Sequence, residues 1–149
     1  ETILRVARDV DNITHVKESS GDITKLRDLT RQGQGFLKTF CGTEDLALES
    51  FLVGATGWIS VAGNVVPQLA IDLFNSVQEK NFERSWELYD QLLPFCKFLE
   101  GSGKYIQIIK RAMDLQGLAG GPSRKPRLPL SDEEESTLQQ LLNDLLVIK

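Results

Sequence analysis

Lys17 is the residue of this sequence best placed to do chemistry. It stands where a short apolar run, Ile13 to Val16, meets a polar turn, Ser19-Ser20-Gly21-Asp22, that opens a helical pattern. A primary amine at the C-terminal end of a β-strand can add to a carbonyl carbon, and α/β folds carry their reactive groups at that end of their strands. The same position also suits a lysine that lays its stem along the strand and puts its charge in water. His15, two residues earlier, falls on the same face as Lys17. Its imidazole titrates in the range useful for a proton relay, while a hydrogen-bonded packing histidine is the simpler reading. Glu18 alternates to the opposite face, towards the helices, and reads as structural.

The surrounding pattern supplies the elements that must hold these groups. The first ten residues read as the end of an amphipathic helix through Ile3, Leu4, Val6, Ala7 and Val10. A strand over 13–16 follows, then a helix from about Asp22 to Arg31 with Asp22 or Ser20 as its N-cap. Gly33 and Gly35 turn the chain into a second strand over 36–40. Another helix runs from about Asp45 to Val53, a third strand covers 58–61, and Asn64 with Pro67 announces the next helix. Alternating strands and helices call for parallel strands with right-handed crossovers. Beyond Pro67 only helices are predicted. One carries a stripe of Phe82, Trp86, Tyr89, Leu93 and Cys96, and another covers about 104–115. Ser131-Asp-Glu-Glu134 forms a capping box that opens the last helix, with Leu138, Leu141, Leu142 and Leu145 on its buried face. The acidic run Asp132 to Glu135 thereby has a local reason at a helix N-terminus and needs no metal.

With 149 residues, 41% of them hydrophobic, the chain can bury one core of ordinary size. The net charge is −4 and the basic residues are scattered, which argues against a nucleic-acid partner. Arg124, Lys125 and Arg127 form the only basic run, and interleaved prolines make it a linker. No apolar stretch is long enough for a membrane span, and no signal peptide is visible. Cys41 and Cys96 form no metal-ligand pattern and are too few for a disulfide framework. Cys41, before Gly42, reads as a small buried apolar residue, with a reactive thiol as the alternative. A reduced, cytoplasmic setting fits these features.

Three blocks carry a resemblance. Val16-Lys-Glu-Ser-Ser-Gly-Asp22 is similar to the Schiff-base lysine segment of the dihydrodipicolinate synthase / N-acetylneuraminate lyase family. Gly42-Thr-Glu-Asp-Leu-Ala-Leu48 followed by Gly54-Ala-Thr-Gly-Trp-Ile-Ser-Val-Ala-Gly-Asn-Val-Val-Pro67 resembles its glycine-acidic turn and final barrel strand, G-x-I-S-V. Gly121-Pro-Ser-Arg-Lys-Pro-Arg-Leu-Pro-Leu130 resembles the proline-rich crossing before its last helix.

The resemblance implies the C-terminal portion of a (β/α)8 TIM barrel, its last three strands with their helices, over residues 1–80. Residues 81–149 are then a helical extension packed on the barrel. It implies a pyruvate-dependent class I lyase in which Lys17 forms an iminium with the keto carbon, so that the adjacent carbon loses a proton and becomes nucleophilic. The substrate itself is the covalent partner, and neither a cofactor nor a metal is implied. Gly42 is expected to line the pyruvate site through its backbone, with Ile59 beside the iminium carbon. Thr43, Glu44 and Asp45 occupy the turn where sialic-acid-type lyases bind substrate hydroxyls, although Asp45 serves equally as an N-cap. Val61 is apolar where sugar-handling members carry a hydroxyl, and family members usually have a small residue at the position of His15.

A complete barrel needs about 250 residues. The chain therefore reads as a fragment whose N-terminal half, with the family's carboxylate-binding turn, relay tyrosine and substrate-reading arginine, lies elsewhere. Alone it is expected to be inactive. Keto acid and aldehyde are the expected small-molecule partners, and the assembly is expected to be a homo-oligomer, dimer or tetramer. Condensation of pyruvate with aspartate semialdehyde is the leading reaction. A 2-keto-3-deoxy sugar acid aldolase or dehydratase, or an N-acetylneuraminate lyase, is the alternative, since Gly103-Lys104-Tyr105 replaces a phrase common in true synthases. A non-catalytic scaffold or oligomerisation half is the alternative of another kind.

Overall fold

The computed structural model describes residues 1–146. Helix α1 (Thr2–Asp9) leads into β1 (His15–Glu18), α2 (Ile23–Gln32) and β2 (Lys38–Cys41). A 3-10 turn, Glu44–Leu46, runs into α3 (Ala47–Leu52), and β3 (Gly57–Trp58) is followed by a second such turn, Ala62–Asn64. Helices α4 (Pro67–Gln78), α5 (Phe82–Gly101), α6 (Tyr105–Leu115) and α7 (Asp132–Leu146) complete the described chain.

The sheet has the order β1-β2-β3 and both pairings are parallel. His15 pairs with Lys38 and Lys17 with Phe40, while Phe40 pairs with Gly57. Each strand thus lies beside its successor, with a helix crossing between them, as in a barrel wall. The ladders start later than the apolar runs suggest: β1 and β2 reach Glu18 and Cys41 rather than ending at Val16 and Phe40. A parallel ladder is set by partners on the neighbouring strand, and the first link here is Lys38 N to the Thr14 carbonyl, at 2.9 Å.

The two faces of the sheet differ. Glu18, Thr39 and Cys41 are buried beneath the helices, where the Thr39 and Thr30 hydroxyls meet at 2.6 Å across β2 and α2. His15, Lys17 and Lys38 on the other face are exposed. Asp22 caps α2 as expected, accepting from the amides of Thr24 at 2.9 Å and Lys25 at 3.3 Å.

A small core of Leu4, Ala7, Leu29 and Leu37 lies between α1, α2 and the start of β2. The main core runs from Ala47 to Leu145 and takes residues from both sides of the expected division at residue 80, among them Leu48, Leu73, Phe95, Ile108 and Leu138. The buried seam of α5 is Ser85, Leu88, Tyr89, Leu92, Phe95, Cys96 and Leu99. The expected stripe is therefore rotated, leaving Phe82 50% and Trp86 49% exposed. The cause is a close approach of small residues: Ser85 Oγ lies 2.9 Å from Ser76 Oγ of α4, so this serine turns towards α4 in place of the aromatics. At α7 the capping box forms in both directions, Ser131 N to Glu134 at 2.6 Å and Glu134 N to Ser131 Oγ at 3.2 Å.

Leu138 has no solvent exposure and sits where α7 closes the main core. Leu138→Ala is expected to lower the unfolding free energy by about 2–5 kcal/mol. Since one core joins both parts of the chain, Trp58 and Trp86 fluorescence should report the same shifted transition. Two separated transitions would show that the helical extension folds independently.

Candidate active site

Lys17 projects from the exposed face of β1, and among the described residues its ammonium makes no hydrogen bond or ion pair. Its position is set by what lies beneath its stem. A Cβ built on Gly42 would lie 2.6 Å from Lys17 Cε, 1.9 Å from Ser19 Oγ and 2.9 Å from the Glu18 carbonyl. Only a residue without a side chain lets the lysine cross there. The Gly42 amide itself extends the ladder to the Glu18 carbonyl at 2.8 Å. The structure thus brings together two residues that the sequence separates by a whole helix.

Directly behind Lys17, Glu18 is buried on the helix side and pairs with Lys25 at 2.8 Å and with the Ser20 amide at 3.1 Å. Burial pushes its carboxyl up, and the bonds from Lys25 and Ser20 outweigh this, so it titrates below its ordinary value. Glu18 therefore anchors the turn after the lysine to the start of α2.

Ile59 is 47% exposed at the same end of the sheet, its amide bonded to the Cys41 carbonyl at 2.9 Å. Alternation from Gly57 places it on the face that carries Lys17. Beyond it the chain leaves the sheet earlier than the predicted strand over 58–61, and the reason is Glu44. This carboxylate has no solvent exposure and accepts four hydrogen bonds. They come from Ser60 Oγ at 3.1 Å, Val61 N at 2.8 Å, Ala62 N at 3.0 Å and the Tyr105 hydroxyl at 2.8 Å. The amides of Val61 and Ala62 go to Glu44 rather than to a ladder, and the chain turns.

That arrangement corrects the expectation that Glu44 meets substrate hydroxyls: its acceptor sites are spent inside the protein. Its own amide donates to Glu100 Oε1 at 2.7 Å. Asp45 is not an N-cap either, because it lies within the 3-10 turn that Thr43 begins, and its carbonyl receives the Tyr89 hydroxyl. Thr43 is half-buried at the mouth, its carbonyl accepting from Cys41 Sγ at 3.1 Å. Cys41 is buried, and burial pushes its thiol up, away from the reactive thiolate. His15 shares the Lys17 face; its Nδ1 lies 2.7 Å from Thr14 Oγ1 and its ring tilts against Phe40 at 5.8 Å.

Sequence reasoning missed Tyr105 and Glu100 as supports of this end of the sheet. They lie 61 and 56 residues from Glu44, and no periodicity reports a contact of that range. Ser60 had a local signal, since it belongs to the G-x-I-S-V phrase.

Residues 1–145 match the sequence profile of the dihydrodipicolinate synthetase family. The chain belongs to this family. It is 32% identical over 148 residues to 4-hydroxy-tetrahydrodipicolinate synthase of Archaeoglobus fulgidus, covering 99% of this chain and 50% of that protein. The Legionella pneumophila protein of the same name is 30% identical over 148 residues, with 99% and 50% covered. The solved structure of a Pseudomonas aeruginosa protein assigned as a dihydrodipicolinate synthetase superposes with a TM-score of 0.90 at 39% identity, over 96% of this chain and 49% of that one. The chain spans about half the length of the curated relatives it matches. As a member of the dihydrodipicolinate synthetase family it represents the C-terminal half, a partial (β/α)8 barrel. No described helix is long and apolar enough to cross a membrane.

Glu44→Gln exchanges one acceptor for a donor that faces another donor, and should cost about 1–3 kcal/mol in urea unfolding. Unchanged stability would show that the carboxylate does not hold the turn. Glu18 contributes stability that is present above its unfolded value near 4.5 and is lost as pH falls through its lower folded value. Glu18→Gln should therefore lower stability at pH 7 and flatten its decline on acidification; parallel pH curves for variant and parent would contradict the pairing.

Proposed function

We propose that this chain is the nucleophile-bearing half of a pyruvate-dependent class I lyase, a 4-hydroxy-tetrahydrodipicolinate synthase that condenses pyruvate with aspartate semialdehyde. The observation that carries this reading is the lysine stem passing over Gly42 at the C-terminal end of a parallel sheet. The neutral Lys17 amine adds to C2 of pyruvate, and the carbinolamine expels its hydroxyl as water to leave an iminium. C3 then gives up a proton to a base, and the resulting enamine attacks the aldehyde carbon of the acceptor. Attack of water or an amine on the iminium carbon frees Lys17.

In this reading Gly42 leaves room for the stem and presents backbone to the pyruvate. Ile59 forms an apolar wall beside the lysine, and Thr43 borders the mouth. Glu44 acts as a positioning residue through the 59–62 segment. Its four internal donors speak against a sugar-lyase role, which would need it free for hydroxyls. The other half of the barrel would supply the carboxylate clamp and the proton relay, so the chain alone would not turn over. The open edges of β1 and β3 suit such a completion, and so does a groove of about 510 Å³ lined by Phe40, Phe51, Trp58, Ile71 and Phe74. We place the completed enzyme in the cytoplasm as a homo-oligomer, in keeping with two free buried cysteines.

Borohydride reduction of the completed barrel with pyruvate should fix the keto acid to Lys17, seen by peptide mass spectrometry, and Lys17→Ala should abolish it. Gly42→Ala should slow trapping about a hundredfold, because the added methyl displaces the stem. Pyruvate fixed to another lysine, or to none, would overturn the assignment.

A further inference from the structure

We propose that the segment completing the barrel carries an inward-facing carboxylate that pairs with Lys38, and that this pair sets how the two halves fit. The pairing rests on the reading that a further segment closes the barrel. On the open face of the sheet the strands present His15, Lys17, Lys38, Phe40 and Gly57. Two of these are lysines and none is an acid; Glu18, the one carboxylate of the strands, lies on the helix side.

Closure turns this face into the barrel interior, which in eight-stranded barrels is filled by layers of side chains. Lys17 has its use at the mouth. Lys38 has none there: it lies opposite His15, one layer deeper, while Phe40 occupies the row of Lys17. A substrate held by Lys17 therefore stands on the far side of the Phe40 layer. Among the described residues the Lys38 ammonium makes no hydrogen bond or ion pair. His15 does not meet its need, with its Nδ1 engaged by Thr14 and its ring against Phe40.

An ammonium enclosed without a counter-charge is costly, and closure would enclose this one. There is space for a partner: a cavity of about 420 Å³ is lined by Thr14, His15, Phe36 and Lys38 at the N-terminal ends of the strands. A carboxylate entering it from the completing half would balance the Lys38 charge and accept hydrogen bonds from its ammonium.

Lys38→Met and Lys38→Arg in the completed protein test the pair. Methionine keeps the apolar stem and removes the charge, leaving the carboxylate enclosed and alone. The melting temperature should fall by roughly 10 °C with Lys38→Met, while Lys38→Arg keeps most of it. In the parent, Lys38 should resist acetic anhydride under conditions that acetylate the exposed Lys80. A melting temperature unchanged or raised by Lys38→Met, or acetylation of Lys38 as fast as that of Lys80, would overturn the proposal by showing that the ammonium reaches water at the bottom of the barrel. Pyruvate trapping in the same parent protein is read separately. Trapping at Lys17 with an indifferent Lys38 sinks only the ion pair, whereas loss of trapping with a destabilising Lys38→Met sinks only the enzymatic reading.

Discussion

The Glu44 carboxylate is the interaction on which the functional end of this molecule depends. One buried carboxylate accepts hydrogen bonds from the segment after β3 and from α6, and charge-assisted bonds of this kind are stronger than neutral ones. It ends the third strand, bends the chain into the Ala62–Asn64 turn and draws α6 towards the sheet. The helical extension is thereby part of the site's foundation. Burial and the neighbouring Glu44 push the Tyr105 hydroxyl up, so it stays protonated and keeps donating.

Around that anchor the sheet is finished on one side only. On the helix side most polar groups of the strands are matched, Glu18 with Lys25, Thr39 with Thr30 and Cys41 with the Thr43 carbonyl, while the buried Trp58 indole N–H has no partner among the described residues. On the other side basic and apolar side chains stand open. A self-contained three-layer domain would cover both faces. This asymmetry is what a section of barrel wall looks like, in agreement with relatives twice as long.

Much of this was legible in the sequence because it is local. The Asp22 cap, the Ser131–Glu134 box and the Lys17/Glu18 alternation each need only a few adjacent residues. The strand limits and the α5 seam were misread because both are settled across the chain. A ladder ends where partners end, and Ser85 turns inward because Ser76 of another helix is small. Glu44 shows the limit most clearly. Its neighbours in sequence suggest a residue facing substrate, while its partners 16 to 18 and 61 residues away make it a support.

Gly42 has a consequence for how Lys17 moves. The close approach falls at Cε, so the carbon stem crosses over bare Gly42 backbone while Nζ has no partner among the described residues. An imine-forming nitrogen must follow its carbon from planar ketone through a tetrahedral adduct and back to a plane. In the proposed reaction, the bare Gly42 backbone beneath the stem would leave Lys17 Nζ room for that excursion, with no hydrogen bond that would have to break at each stage.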